Sequence, residues 1–307
     1  MQPFRLEPSG PFSLEAANRY FGGWPVVSSD PRAIVMAFPV EGWRTSAAVV
    51  VRQDVDGALT GEVHQAQGED AKAAWATALA ALSADADGSG FEAVGERDTV
   101  IGGLQARYGM VRPVCFHTPY EAASAFVIGH RLSITQTRSI RARLSEEHGE
   151  AVVVGDEQFF AFPRPQVLLE LERFGQVFGE KMERLHGIAE AALSGRLDRQ
   201  RLRSMPYADA LADLRGLRGV GPFIAQGTLI RGASLVDEVS DDEVTAQAVQ
   251  YAYGLPEPPD RATVLRLAEA WRPYRAWASV LLHLWLRREG GPAFKRPGRR
   301  TGPRPER

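Results

Sequence analysis

The segment from Leu217 to Pro222 is the first part of the chain whose residue types and spacing suggest chemistry. It reads Leu-Arg-Gly-Val-Gly-Pro, so Gly219 and Gly221 flank Val220 just before a proline that can start a helix. Glycines allow a sharp turn and leave backbone amides uncovered. Free amides at a helix N-terminus, together with the helix dipole, favour an anion. The segment predicts a helix–turn–helix whose Gly219, Val220, Gly221 and Phe223 bind a phosphate; a plain helical corner without a ligand is the alternative.

A pair of aspartates follows this turn about twenty residues later. Asp241 and Asp242 precede a helical run from Thr245 to Tyr253. An aspartate at this position is a favoured helix N-cap. An ionised carboxylate beside a pocket can also stabilise a developing positive charge and orient or deprotonate water. Asp242 is therefore expected to cap the helix, and the two roles are compatible.

The elements that must position these residues are mostly helical. Thr118 is a predicted N-cap, with Pro119 at the first helical position and Glu121 closing a capping box. Further apolar spacing with Gly or Pro at short connections predicts helices at Ile134–Glu147, Pro165–Phe174, Lys181–Ser194, Tyr207–Leu214, Pro222–Ile230, Glu243–Tyr253, Arg261–Trp271 and Tyr274–Arg288. The prediction is an all-α domain over 111–289.

The first 110 residues predict a separate, mixed domain. Strands are expected at Ala33–Phe38, Ser46–Arg52 and Leu59–Val63, with Asp56-Gly57 as a hairpin turn, and a helix at Glu69–Leu82. The fold class is therefore α+β, with domains at 1–110 and 111–289. The remaining residues, 290–307, form a basic tail rich in Gly and Pro that is expected to be disordered.

Composition excludes several classes of protein. The single cysteine, Cys115, cannot form an intrachain disulfide, a Cys-based zinc site or an iron–sulfur cluster. The start of the chain lacks the pattern of a secretory signal, and no apolar run is long enough to cross a membrane, so a cytoplasmic protein is expected. A net charge of −2 argues against a general nucleic-acid binder, so any nucleic-acid site must be local.

Five motifs in this order resemble the helix-hairpin-helix DNA glycosylase superfamily, and within it the alkylpurine branch of the 3-methyladenine DNA glycosylase II type. The motifs are Phe126–Ile134, Phe160–Pro165, the glycine turn, the Asp241-Asp242 pair and Trp271-Arg-Pro-Tyr-Arg275. They cover about 110–288. In that branch a small domain that resembles the TATA-binding-protein fold precedes the helical one, and this agrees with the α+β domain predicted for residues 1–110.

The resemblance implies a DNA glycosylase that flips a damaged, alkylated purine out of double-stranded DNA and hydrolyses its N-glycosidic bond in base-excision repair. Asp242 takes the position of the catalytic carboxylate. The superfamily's lyases carry a lysine where this chain has Phe223, so a monofunctional hydrolase is expected. No cofactor is required, and a monomer is expected.

The resemblance also assigns further site residues. The base pocket receives Phe223, Gly227 and either His283 or Trp285, and Arg131 takes the place of the wedge that fills the gap in the duplex. The main-chain carbonyls of Arg215, Leu217 and Val220 match those that hold Na⁺ or K⁺ at the hairpin. Core packing is the alternative for Trp271 and Trp277.

Two other functions fit parts of the same pattern. A non-catalytic DNA-binding protein could use the hairpin alone. A metal nuclease could be built on Asp237, Asp241 and Asp242.

Overall fold

The computed structural model describes residues 4–21 and 32–290, so the expected disordered tail from 291 onward lies outside the described residues. The strands are β1 Phe4–Leu6, β2 Ala33–Pro39, β3 Ser46–Gln53, β4 Leu59–His64, β5 Ala151–Val154 and β6 Glu157–Phe160. The helices are α1 Leu14–Phe21, α2 Gly68–Ala81, α3 Glu92–Arg97, α4 Thr99–Tyr108, α5 Pro119–Gly129, α6 Ile134–His148, α7 Pro165–Leu169, α8 Glu180–Leu193, α9 Arg199–Ser204, α10 Tyr207–Arg215, α11 Pro222–Arg231, α12 Glu243–Ala252, α13 Arg261–Ala268 and α14 Arg275–Glu289. Among these helices, none combines the length and apolar character that a membrane span needs.

The N-terminal part is an antiparallel sheet with strand order β1-β4-β3-β2. The hairpin turn expected at Asp56-Gly57 joins β3 to β4, and Gly57 adopts a φ of +89° that favours glycine. Helix α2 covers one face of the sheet. Gly61 allows this contact, because a Cβ there would lie 2.3 Å from the ring of Trp75. The α+β class is therefore confirmed.

The other face of the sheet is covered by a hairpin that lies inside the part expected to be all helical. Strands β5 and β6 pair with each other, and Val152, Val154 and Phe159 pack on Val35 and the neighbouring residues of the sheet. The all-α prediction for 111–289 is wrong here. A two-stranded ribbon is not stable alone, so its formation depends on the sheet face that it buries, which the local sequence does not show.

The helices are arranged around two hydrophobic cores. One core is formed mainly by α5, α8, α10 and α11. The second is formed by α12, α13 and α14 together with α3 and α4. Residues 91–110, placed by sequence with the N-terminal domain, thus contribute to the core of the C-terminal helices. Trp271 and Trp277 are fully buried in this second core, as the packing alternative predicts.

Most predicted helix limits agree with the structure, with two local corrections. Thr118 caps α5 as expected, but Glu121 does not close the box, because its carboxylate instead binds His117 and Arg141. A reciprocal capping box forms at the next helix. Helix α7 ends at Leu169, since the following residues turn back and Phe174 forms a bridge with Val177.

Candidate active site

The glycine turn joins α10 to α11 as a tight hairpin. Gly219 has a φ of +77°, and a Cβ at this position would lie 2.5 Å from the side chain of Arg184. The Val220 N–H donates to the Leu217 carbonyl at 3.1 Å, so this amide is used within the turn. The amides of Gly219, Gly221 and Phe223 remain the predicted phosphate donors.

A basic surface surrounds the hairpin. Arg184 of α8 lies against Gly219, and Arg218 forms an ion pair with Glu183 at 2.7 Å. Burial, followed by the charges of Arg131 and Arg184, lowers the pKa of His130, so the loop after α5 lies near the N-terminal end of α8. Arg131, the expected wedge, is exposed. Arg184 pairs with Glu180, so Glu180 and Glu183 offset part of the positive charge that Arg131, Arg184 and Arg218 bring to this face of a chain with a net negative charge.

The hairpin carbonyls offer oxygen donors of the kind that a monovalent cation takes. The Leu217 carbonyl accepts the Val220 amide. Within the described residues, no backbone amide donates to the carbonyls of Arg215 or Val220. The Arg215 carbonyl is one of the unpaired carbonyls typical of a helix C-terminus, the Val220 carbonyl lies in the turn before α11, and both oxygens are of the kind that Na⁺ or K⁺ binds.

The loop before α12 is fixed at both ends by side chains that were not among the predicted site residues. Arg275 Nε donates to Asp237 Oδ1 at 2.7 Å, so the Trp-Arg-Pro-Tyr-Arg motif anchors the start of the loop. Gln226 of α11 accepts the Asp241 amide at 2.6 Å and donates to the Val239 carbonyl. The same helix thus begins at the hairpin and positions the loop that carries Asp242.

Asp242 caps α12, as expected. Its Oδ1 accepts the Thr245 amide at 2.8 Å. Burial, the largest effect, opposes ionisation, but the charge that His283 carries when it is protonated in acid, and hydrogen bonds from Ser240 and Thr245, outweigh it, so the pKa of Asp242 is lowered. The carboxylate is therefore ionised at neutral pH and is held in one orientation.

His283, rather than Trp285, lies beside Asp242. Its Nε2 is 3.0 Å from Thr245 Oγ1. Burial lowers the pKa of His283 to about 4, so the imidazole is neutral at pH 7 and shares a hydrogen bond with the threonine hydroxyl. Trp285 is two residues away on α14, about 200° around the helix, and packs against the second core.

Two small cavities flank this constellation. The larger, of about 90 Å³, is lined by Tyr20, Phe21, Arg231, Val280, His283, Leu284, Arg287 and Arg288. The smaller, of about 40 Å³, is lined by Ser240, Asp241, Asp242, Thr245, Ala246, Pro259, Arg261 and Val264. His283 and Asp242 therefore belong to neighbouring cavities.

Phe223 and Gly227 lie together elsewhere on α11. The ring of Phe126 fills the space above Gly227, where a Cβ would lie 2.6 Å from it, and the same ring meets Phe223 edge-on at 5.5 Å. Phe223 is 57% exposed. Among the described residues that line the two cavities, neither Phe223 nor Gly227 is present. The structure thus brings Asp242 and His283 together, but it does not place Phe223 and Gly227, the other residues predicted for the base pocket, beside them.

The three aspartates considered for a metal nuclease do not converge. Asp237 is paired with Arg272 and Arg275, Asp241 lies 3.5 Å from Arg261, and Asp242 interacts with His283. Over residues 4–21 and 32–290, no group of three His, Cys, Asp or Glu side chains is arranged to hold a metal ion.

Known proteins resemble the chain in sequence and in fold. No protein-family model matches it. It is 28% identical over 187 residues to the DNA-3-methyladenine glycosylase 2 of Escherichia coli, and this match covers 59% of this chain and 61% of that protein. The chain spans about three fifths of the length of the curated relatives it matches.

Solved structures cover almost the whole chain. A 3-methyladenine DNA-glycosylase from Archaeoglobus fulgidus superposes with a TM-score of 0.72 at 17% identity, over 94% of this chain and 98% of that one. An 8-oxoguanine glycosylase/lyase from Clostridium acetobutylicum, in complex with double-stranded DNA, superposes with a TM-score of 0.64 at 15% identity over 94% and 98%. The chain has the fold of the helix-hairpin-helix DNA glycosylases, and the resemblance that its motifs indicated is confirmed.

Proposed function

We propose that the protein is a monofunctional DNA glycosylase that hydrolyses the N-glycosidic bond of damaged purines in double-stranded DNA. The observation that carries this proposal is Asp242, an ionised and oriented carboxylate whose loop is held by the same helix that begins at the hairpin. Alkylated purines are the substrate class that the resemblance implies.

The reaction follows from the charge on Asp242. When the bond between C1′ and the base breaks, its electron pair leaves with the base and the sugar becomes oxocarbenium-like. An adjacent carboxylate stabilises that positive charge. Water then attacks C1′, and its proton passes to Asp242 and on to solvent. The base must leave the duplex for this approach, so flipping is part of the proposal.

DNA is held, in this proposal, by the hairpin and the basic surface beside it. Amides of Gly219, Gly221 and Phe223 bind a phosphate, and Arg131 enters the gap left by the flipped nucleotide. A monovalent cation on the carbonyls of Arg215, Leu217 and Val220 would supply a positive charge for a neighbouring phosphate. The N-terminal sheet corresponds to the TATA-binding-protein-like domain of the alkylpurine branch, and the protein acts as a monomer.

Strand cleavage is not part of the proposed activity. A lyase needs an amine nucleophile near C1′, and Phe223 occupies the position of the superfamily's lysine. Lys181 lies on α8, where its Nζ donates to the Ile128 carbonyl at 2.9 Å. Its amine is thus committed to a structural contact.

The test is incubation of the wild-type protein with end-labelled duplexes that carry one damaged purine. We expect free base, an abasic site that breaks only on alkali treatment, and no effect of EDTA. Nicks without alkali would contradict the monofunctional assignment. Binding to these duplexes without release of base from any of them would favour the non-catalytic DNA-binding protein.

A further inference from the structure

The cavity beside His283 carries an excess of positive charge. Arg231 from α11 and Arg287 from α14 line it. Arg287 is exposed as a residue, but partial burial of its guanidinium, followed by the charges of Arg231 and Arg138, lowers its pKa, and Asp242 is the carboxylate that acts against them. Three guanidinium groups from three helices, those of Arg138, Arg231 and Arg287, therefore lie close enough for the first two to repel the third, and Asp242 is the carboxylate whose charge acts on Arg287.

Some N–H donors of these arginines also have no hydrogen-bond acceptor among the described residues. In the described parts of the chain, no carboxylate forms an ion pair with Arg138, Arg231 or Arg287, although other arginines form such pairs from the N-terminal sheet to α14. Arg231 Nη2 donates to the Val114 carbonyl at 2.6 Å, but its Nε is buried without a partner. A buried donor without a partner is costly, so a ligand with acceptor atoms would complete this site.

The electrostatics of the cavity discriminate between classes of damaged purine. A purine alkylated at N3 or N7 is a cation, and Arg231, Arg287 and Arg138 repel it. A neutral purine with a carbonyl oxygen is not repelled and can accept hydrogen bonds from guanidinium groups. We propose, on the basis of the glycosylase function above, that this cavity selects neutral, carbonyl-bearing damaged purines, such as hypoxanthine, over cationic N-alkylated purines, such as 7-methylguanine.

The charge of the leaving base also favours selection of neutral purines. When the C1′–N bond breaks, a cationic purine leaves as a neutral molecule and needs no help. A neutral purine takes the bonding electron pair and leaves as an anion, which is then protonated from solvent. Arg231 and Arg287 would stabilise that anion at the moment when it forms. The arginines therefore stabilise the anionic leaving group of a neutral purine, whereas the neutral leaving group of a cationic purine does not require this stabilisation.

The cavity must widen to admit a base. Its volume is about 90 Å³, below the range of about 300 Å³ or more that is usual for ligand sites. Arg287 and Arg288 are its exposed lining residues, so an entering base displaces solvent-facing side chains rather than core residues. Arg287 is thus placed to contact the base, and it is the residue to vary.

The experiment measures single-turnover base release from two duplexes that are identical except for hypoxanthine or 7-methylguanine. The proteins compared are the wild type, Arg287→Gln and the Arg138→Gln/Arg287→Gln double variant. Arg143→Gln is the matched control, because Arg143 is an exposed arginine of α6 that pairs with Glu147. The ratio of the two rates is taken within each preparation, so partial misfolding cancels.

We expect the wild type to release hypoxanthine faster. Arg287→Gln should lower the hypoxanthine-to-7-methylguanine ratio about tenfold, the double variant should lower it further, and Arg143→Gln should leave it unchanged. A wild type that prefers 7-methylguanine, or a ratio that Arg287→Gln does not change, would overturn the inference while the glycosylase function stands. Release of neither base, nor of any other damaged purine, would overturn the proposed function itself.

Discussion

At the scale of single residues, the proposed activity depends on the protonation state of Asp242 and His283. Burial opposes ionisation of Asp242, but the charge of His283 when it is protonated in acid, and hydrogen bonds from Ser240 and Thr245, lower the pKa of Asp242, and burial lowers the pKa of His283 to about 4. Both groups therefore keep one protonation state throughout the neutral range. Asp242 stays a carboxylate, and His283 stays neutral beside Thr245.

This predicts how base release depends on pH. Since the pKa of Asp242 is below its ordinary value, the carboxylate takes up a proton only in strong acid. The single-turnover rate should be flat between about pH 5 and 8. Rates measured across this window, with DNA in excess of its dissociation constant, check the prediction. An acid limb centred near pH 6 would show that another group controls the reaction.

At the scale of elements, the hairpin and the β2–β3 connection each depend on one particular residue, Gly219 in the hairpin and Glu41 in the connection. Gly219 combines a left-handed backbone with close contact to Arg184. Gly195, between α8 and α9, has nearly the same φ, +76°, but a methyl group added there would meet nothing within 4 Å. Alanine substitutions at these two glycines therefore distinguish the cost of backbone strain, which both share, from the effect of disturbing the hairpin, which only Gly219 has.

Gly219→Ala should lower the free energy of unfolding by about 1–3 kcal/mol through strain at positive φ, and it should also weaken DNA binding because Arg184 must move. Gly195→Ala is the control and should cost only the strain. Chemical denaturation and fluorescence anisotropy with duplex DNA measure the two effects. Equal DNA affinities for the two variants would contradict a role of the hairpin in binding.

Glu41, in the connection between β2 and β3, is a buried carboxyl group. Burial, opposed in part by the charge of Arg199, raises the pKa of Glu41 to about 7. The folded protein therefore holds this proton up to about pH 7, whereas the unfolded chain releases it near 4.5. Because the folded state binds more protons in this window, the contribution of Glu41 to stability falls as pH rises from 4.5 to 7.

Glu41→Gln should remove this loss of stability. At pH 8 the variant should be more stable than the wild type by roughly 2–3 kcal/mol at most, and the two should converge near pH 4.5. Urea denaturation at several pH values measures the difference. A variant that is less stable at pH 8 would show that the ionised carboxylate makes a favourable contact with Arg199.

The sequence predicts elements well where the signal is local. The N-cap at Asp242, the hairpin glycines and the limits of α10 and α11 depend on neighbouring residues, and they are found where expected. The β5–β6 ribbon and the role of Glu121 depend on partners that are distant in the chain. For the same reason no sequence motif marks the arginines beside His283, because Arg231 comes from α11 and Arg287 from α14.

At the scale of the whole molecule, the charge distribution decides how DNA is held. The chain has a net charge of −2, so attraction to DNA must come from the basic surface around the hairpin. Arg218 in the turn and Arg131 in the loop after α5 are exposed parts of that surface. Binding to undamaged duplex should therefore depend on salt through a small number of contacts.

Arg218→Gln tests this expectation. Loss of one phosphate contact should reduce the slope of log K against log salt by about 1. Arg5→Gln is the control, because Arg5 lies on β1 and pairs with Asp54 and Asp56. Anisotropy titrations at several salt concentrations give the slopes. An equal change of slope in both variants would place the DNA on a broader surface than the hairpin face.

The most direct test of the proposed mechanism replaces Asp242 by Asn and compares this variant with Asp241→Asn. Both variants remove one negative charge from adjacent residues, and asparagine can still cap a helix. We predict that Asp242→Asn loses base release by at least about a thousandfold while its affinity for lesion-bearing duplex stays near that of the wild type. Asp241→Asn should retain activity. Wild-type rates of base release by Asp242→Asn would contradict the central claim.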